Sequence, residues 1–167
     1  MNSGKIIEKD ELLALLPHRE GMLLLSRILD YDLDAHTISA EYDITRDCLF
    51  YDPALGGIPA WISFECMAQS MAAIIGIENL SQGLGLILSV SNMIIYRPVL
   101  KAGSTLSINA VEDVRMDSVY TYMGEVSVEG NPAAKAKFTV QAANGRPASE
   151  REDYGSLFHH GPGSGPQ

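Results

Sequence analysis

Apolar residues recur along this chain at two spacings, and the two divide it into strands and one long helix. Between residues 37 and 44, Ile38, Ala40, Tyr42 and Ile44 alternate with polar neighbours, the period of a half-buried strand. Residues 22–29 form a compact apolar run broken by Ser26 and Arg27, which predicts a partner strand across a turn at 30–36. Four more strands are predicted at 86–96, 104–114, 119–128 and 133–142. In the last, Ala134, Ala136, Phe138 and Val140 alternate with Lys135, Lys137, Thr139 and Gln141, and Gly103 and Gly130 sit at turns between strands.

The spacing changes to three and four at Trp61, Phe64, Ala68, Ala72 and Ile75, predicting a helix from residue 60 that ends at Gly76. It is apolar on most sides and therefore belongs inside, wrapped by sheet. Glu65 and Gln69 within it argue for a buried helix rather than a membrane span. A short helix over 10–16, capped by Asp10 and stopped by Pro17, precedes the strands. Residues 46–59, with Pro53, Gly56, Gly57 and Pro59, read as a loop. The order of two strands, one helix and four strands suits an α+β fold in which a curved antiparallel sheet closes around a central helix. It occupies residues 1–143. Residues 144–167 read as a flexible Gly/Pro/Ser-rich tail. His159 and His160 lie there with no third ligand in view, so no metal site is expected.

Composition narrows the partners. The 167 residues suffice for one domain, and 21 acidic against 12 basic side chains give a net charge of −9 that repels a phosphate backbone. Nucleic acid is not expected as a partner, and neither is a membrane. Cys48 and Cys66 form no CxxC pattern and read as reduced thiols. The start of the chain lacks the unbroken apolar run of a signal peptide, which predicts a cytoplasmic location.

The segment GGIPAWISFECMAQSMAAIIG, residues 56–76, resembles the central-helix segment of the single-hot-dog 3-hydroxyacyl-acyl-carrier-protein dehydratases, through Pro59, Glu65, Met67, Ala68 and Gln69. LLPHREGMLLLSRIL, residues 15–29, resembles the opening segment of that family, and IIYRPVLKAGSTL, residues 94–106, its strand followed by a Pro and Gly turn. The three lie in the family's order, and the likeness spans residues 10–142. The IPAWISFECMAQ variant is most similar to an accessory branch associated with aryl-polyene type pathways.

The resemblance implies a hot-dog fold and a dimer, in which a loop histidine and a helix glutamate from opposite chains eliminate water from a 3-hydroxyacyl thioester to give the enoyl thioester. The glutamate carries over to Glu65. Tyr51 stands at the histidine position, in FYDP where the family has GHFP. Two alternatives are open: a noncatalytic acyl-carrier-binding subunit of a hot-dog heterodimer, and an acyl thioesterase in which Glu65 activates water. No cofactor or metal is implied. The acyl group would arrive on phosphopantetheine, from an acyl carrier protein or coenzyme A, and the assembly would be a homodimer or a heterodimer with another hot-dog protein.

Dehydration needs a base at C2, an acid for the departing C3 hydroxyl and a donor for the thioester oxygen. Glu65 is the candidate acid. Tyr51 could donate a hydrogen bond or pack over the helix start, and Asp52 could act as a carboxylate base or organise the turn before Pro53. An amide of Gly57 or Ile58 could face the thioester oxygen at the helix start, or the glycines could serve only the turn. Gln69, one helical turn beyond Glu65, could hold it in place. Met67, Met71, Ile75, Ile87, Val90, Met93 and Ile95 could line an acyl channel, although most are expected in the core. Arg97 and Lys101 could attract phosphopantetheine or stay solvated. The resemblance gives His18 a structural role at the channel mouth, and His36 is expected to face solvent.

Overall fold

The alternation at 37–44 becomes a strand with Ile38, Ala40 and Tyr42 buried and the residues between them half-exposed, and it sits near the centre of the sheet. The computed structural model describes residues 5–18, 20–79 and 85–142. Its elements are β1 (Ile7–Glu8), α1 (Lys9–Leu15), a 3-10 turn (Glu20–Met22), β2 (Arg27–Asp32), β3 (Thr37–Asp43), β4 (Gly57–Pro59), α2 (Ile62–Asn79), β5 (Gly85–Ile95), β6 (Val99–Lys101), β7 (Thr105–Met116), β8 (Val119–Val128) and β9 (Asn131–Ala142). Seven strands form one antiparallel sheet in the order β1-β2-β3-β7-β8-β9-β5, while β4 and β6 pair separately.

The inner face of the sheet carries Ala40, Ile108, Tyr122, Val126, Ala136 and Phe138, all buried against α2. On the helix, Ile62, Cys66, Met67, Ser70, Ala73 and Ile74 are buried. Contact is close enough that a Cβ at Gly124 would lie 2.6 Å from the Met67 sulfur, so a residue with no side chain is needed where α2 crosses β8. The Phe64 and Phe138 rings meet with centroids 4.9 Å apart, a contact contributing about 0.5–1.5 kcal/mol beyond area burial. Burial pushes the Cys66 thiol and the Tyr122 phenol well above their usual ranges, keeping both neutral inside the core.

Several expected boundaries shift, each for a visible reason. The run at 22–29 is not a strand throughout, because β2 starts only at Arg27. Leu23, Leu24 and Leu25 are consecutively buried, which a pleated strand with one exposed face does not allow. Their backbone is held instead by the Gln69 side chain, which accepts from the Leu24 amide at 2.9 Å and donates to the Met22 carbonyl at 2.7 Å. The turn tightens to residues 33–36, where the Asp32 carboxylate accepts from the amides of Asp34 and Ala35, both at 2.9 Å. These amides draw the Asp32 carboxyl below its ordinary range.

Helix α2 does not stop at Gly76, which is buried within it, but runs to Asn79. Its last turn is anchored by Arg115, whose guanidinium meets both oxygens of Glu78 at 2.7 and 3.0 Å. The cap of α1 is Glu8 rather than Asp10, with the Glu8 amide donating to the Glu11 carboxylate at 3.3 Å. The expected loop at 46–59 ends in β4. There a Cβ at Gly57 would fall 2.1 Å from the Leu100 carbonyl, so glycine is what permits the pairing with β6. The tail 144–167, with His159 and His160, lies outside the described residues.

Strand β5 departs most from expectation. Val90, Met93 and Ile95, read as core or acyl-channel residues, are exposed with the rest of β5, the edge strand of the sheet, while Ile87, also exposed, lines the cleft beside Glu65. Its other flank has no partner strand among the described residues.

Candidate active site

Glu65 projects from the first turns of α2 into a cleft of about 200 Å³. The cleft is lined by Pro17 and His18 on one side, by Ala68, Met71, Ala72 and Ile75 along the helix, and by Gly85, Ile87 and Val140 at the sheet edge. Its polar end holds His18 and Glu65, the only two titratable residues of the lining among the described residues. The His18 Nε2 atom lies 3.2 Å from Glu65 Oε1, with the two side chains 26% and 29% exposed, so both face the opening without being stripped of solvent.

Gln69 fixes this arrangement. Its carbonyl oxygen is taken by the Leu24 amide and one amide hydrogen by the Met22 carbonyl, which leaves the second to donate to Glu65 Oε1 at 2.9 Å. Gln69 is fully buried. One side chain therefore joins the segment following His18 to the helix that carries Glu65. Because His18 and Gln69 both meet Oε1, Glu65 Oε2 has no hydrogen bond to a described residue and remains for a ligand. The other end of the cleft is apolar: Met71, Ile75, Ile87 and Val140 offer alkyl contact with no charge.

The remaining predicted residues fall elsewhere. Asp52 organises a turn, accepting from the Ala54 amide through its carboxylate at 2.8 Å and from the Gly56 amide through its carbonyl at 2.9 Å. Tyr51 is half-buried, donating its amide to the Cys48 carbonyl at 3.0 Å, and neither Tyr51 nor Asp52 lines the Glu65 cleft. Gly57 and Ile58 lie in the β4–β6 ladder facing Lys101 and Leu100. The Gly57 amide is directed at the Asp52 carbonyl, 3.4 Å away. Met93 sits exposed at an irregularity of β5, beside Asn92 with φ +53°, and outside the cleft. Arg97 is half-buried beyond β5, and Lys101 is held by the Leu55 carbonyl at 2.9 Å.

His36, expected to face solvent, is half-buried and places Nδ1 3.1 Å from the Arg115 guanidinium. Ala68 and Ala72 were missed as lining residues. Their signal was present, since positions 65, 68, 72 and 75 share one helical face and the two alanines are the gap that opens it. A larger groove of about 460 Å³ crosses the outer face of the sheet between Tyr31 and Met123, but none of its residues belongs to the three motifs. No cluster of three or more metal-ligand side chains occurs among the described residues. No described helix is long and apolar enough to cross a membrane.

The antiparallel sheet packed on one central helix, with a carboxylate from that helix in a largely apolar cleft, defines a protein of the hot-dog class. The profile of the ApeP-like family, described as ApeP dehydratase, matches residues 11–150, and the chain belongs to that family. A relative is the 3-hydroxyacyl-[acyl-carrier-protein] dehydratase FabZ of Rickettsia akari, 30% identical over 139 residues, covering 81% of this chain and 95% of the relative. Among solved structures, the dehydratase heterocomplex ApeI:P from Xenorhabdus doucetiae superposes with a TM-score of 0.72 at 21% identity, covering 80% of this chain and 91% of that one. A hypothetical thioesterase from Streptococcus pneumoniae, solved with coenzyme A, superposes with a TM-score of 0.56 at 14% identity, covering 81% of this chain and 93% of that one. These two likenesses establish the shared fold.

Proposed function

We propose that this protein removes water from a 3-hydroxyacyl thioester, with Glu65 donating the proton to the departing C3 hydroxyl. The observation that carries the reading is the Glu65 carboxyl, held through Oε1 with Oε2 open, at the polar end of an apolar cleft of about 200 Å³. The acyl chain lies against Met71, Ile75 and Val140, and the thioester is delivered on phosphopantetheine from an acyl carrier protein or coenzyme A. The name of the Rickettsia relative supports the carrier-bound 3-hydroxyacyl substrate. The reaction calls for no metal or cofactor, since proton transfer and charge stabilisation suffice for a β-elimination.

Strand β5 supports an assembly of at least two hot-dog chains. Its sequence GLILSVSNMII has no charged residue, and Leu86 and Leu88 are 67% and 53% exposed. Edge strands that stay unpaired are usually short, charged or covered. The same strand contributes Gly85 and Ile87 to the cleft, so a chain added along β5 would also close the acyl site. A heterodimer is the second form of this reading, favoured by Tyr51 at the position where the resembling family carries its histidine.

The test is product analysis by mass spectrometry, with purified protein alone and with a candidate hot-dog partner, on a panel of 3-hydroxyacyl-carrier substrates. An enoyl thioester is expected, with turnover falling about 1,000-fold in Glu65→Gln. A free acid as product would replace the reading by thioester hydrolysis, and absence of turnover in both settings would reject it.

A further inference from the structure

We propose that Ala72 and Ile75 set the length of the acyl chain that the Glu65 cleft accepts, Ala72 as its open floor and Ile75 as its end, so that the substrate is a straight chain of about ten carbons. This inference rests on the function proposed above and deepens it by naming the substrate class. Between Glu65 and Ile75, only Ala68 and Ala72 are half-buried, and every other residue of that stretch of α2 is buried. Helical spacing puts positions 65, 68, 72 and 75 on one face. They form a strip that starts at a carboxyl group, crosses two methyl groups and ends where Ile75, 4% exposed, enters the core. Gly85 and Val140 bound the strip from the sheet, packed so closely that a Cβ at Gly85 would lie 2.8 Å from Val140 Cγ1.

Helix rise and cleft volume give the length. From Glu65 to Ala72, α2 climbs about 10 Å at a rise of about 1.5 Å per residue. An extended chain advances about 1.1–1.2 Å per bond, as the backbone does over its three bonds per residue, so about nine bonds beyond C3 reach the level of Ala72. About four more bonds reach Ile75. Volume is the tighter limit. The cleft of about 200 Å³ holds about seven methylene groups at roughly 30 Å³ each, and with the first three carbons the chain has about ten. A larger side chain at position 72 would stand in the path of this chain, and a smaller one at position 75 would move the end of the cleft outward.

The experiment measures binding of straight-chain acyl-pantetheine amides, from four to sixteen carbons, to the full-length protein by titration calorimetry, alone and with a candidate hot-dog partner. These probes have no C3 hydroxyl to eliminate and no thioester to cleave. In wild type, affinity should rise about fourfold per methylene up to about ten carbons and then level off. Ala72→Leu should move the break at least two carbons shorter. Ile75→Val and Ile75→Ala should move it about one and about two carbons longer, because the side-chain carbons removed become space for the ligand. Met123→Ala, on the outer face of the sheet, should leave it in place. Opposite shifts from two positions are a readout that destabilisation alone would not give. A break that stays put in the Ala72 and Ile75 variants would overturn the assignment, as would affinity climbing unbroken to sixteen carbons or no binding at any length in both settings. If Ile75→Ala does not fold, Ile75→Val and Ala72→Leu decide. Turnover of 3-hydroxyacyl-carrier substrates without dependence on chain length would overturn the inference and leave the dehydration reading standing. The expected break and shifts without turnover would reject that reading and support the acyl site.

Discussion

Helix α2 carries a glutamate near each end, and the two are held in opposite ways. Near the C-terminal end both oxygens of Glu78 are engaged by Arg115, which also bonds Glu112 at 2.8 and 2.9 Å, stacks 4.6 Å above the Tyr120 ring and meets His36. In this cluster one guanidinium serves two carboxylates and leaves no open oxygen on Glu78. Hydrogen bonds from Arg115 hold the Glu78 carboxyl below its ordinary range against the opposing effect of burial. Near the N-terminal end, Glu65 has one oxygen engaged by neutral Gln69 and by His18, one oxygen with no hydrogen bond to a described residue, and a cleft in front of it. A saturated carboxylate fastens a helix end, whereas a half-satisfied one in an apolar cleft is placed to exchange a proton.

The largest expected difference between the two ends is in turnover. Glu65→Gln should reduce it about 1,000-fold while Glu78→Gln stays within twofold, measured with the same thioester under saturating conditions. In stability the ranking reverses. Arg115→Met leaves Glu112, whose side chain is only 6% exposed, without its cation and should cost about 2 kcal/mol at pH 7 in urea unfolding. The cost falls below that of a fully buried pair because Arg115 is itself 31% exposed. The depressed Glu78 carboxyl adds stability above its ordinary carboxylate range and loses it as pH falls through its folded value, so the gap between Arg115→Met and wild type should narrow on acidification. A gap that widens in acid would break the comparison.

Gln69→Leu has the smallest expected effect on turnover and links the two kinds of effect. It strands the Leu24 amide and the Met22 carbonyl, costing about 1–3 kcal/mol. It also frees Glu65, and turnover should fall about tenfold through lost positioning. Full activity at reduced stability would limit Gln69 to holding the fold.

Much of this architecture was legible because its elements obey simple periods. The alternation in 37–44 and in 133–142 led directly to β3 and β9, and the spacing from Phe64 to Ile75 to α2. What periodicity could not supply was which neighbour covers each face. Ala68 and Ala72 read as core, yet with Ile75 they face the cleft, because neither alanine fills the space beside Glu65. Residues 22–25 read as strand because a run of apolar side chains does not reveal that Gln69, 45 residues away from Leu24, claims their backbone. The end of α2 was missed for the same reason, its anchor being Arg115, 37 residues beyond Glu78. Glu65 and Gln69 were found through motif and helical spacing. The approach of His18 to Glu65 depends on the path of residues 17–25 over the helix, which no local pattern encodes.

The central claim is that Glu65 meets the C3 hydroxyl of an acyl chain laid along α2. A crystal structure of Glu65→Gln with a bound 3-hydroxyacyl-pantetheine thioester tests it directly. The account predicts the C3 hydroxyl within hydrogen-bonding distance of the side chain at position 65, with the alkyl tail between Met71, Ile75 and Val140. A ligand seated on the outer face of the sheet, or a cleft closed by side chains and empty of ligand at saturation, would contradict it.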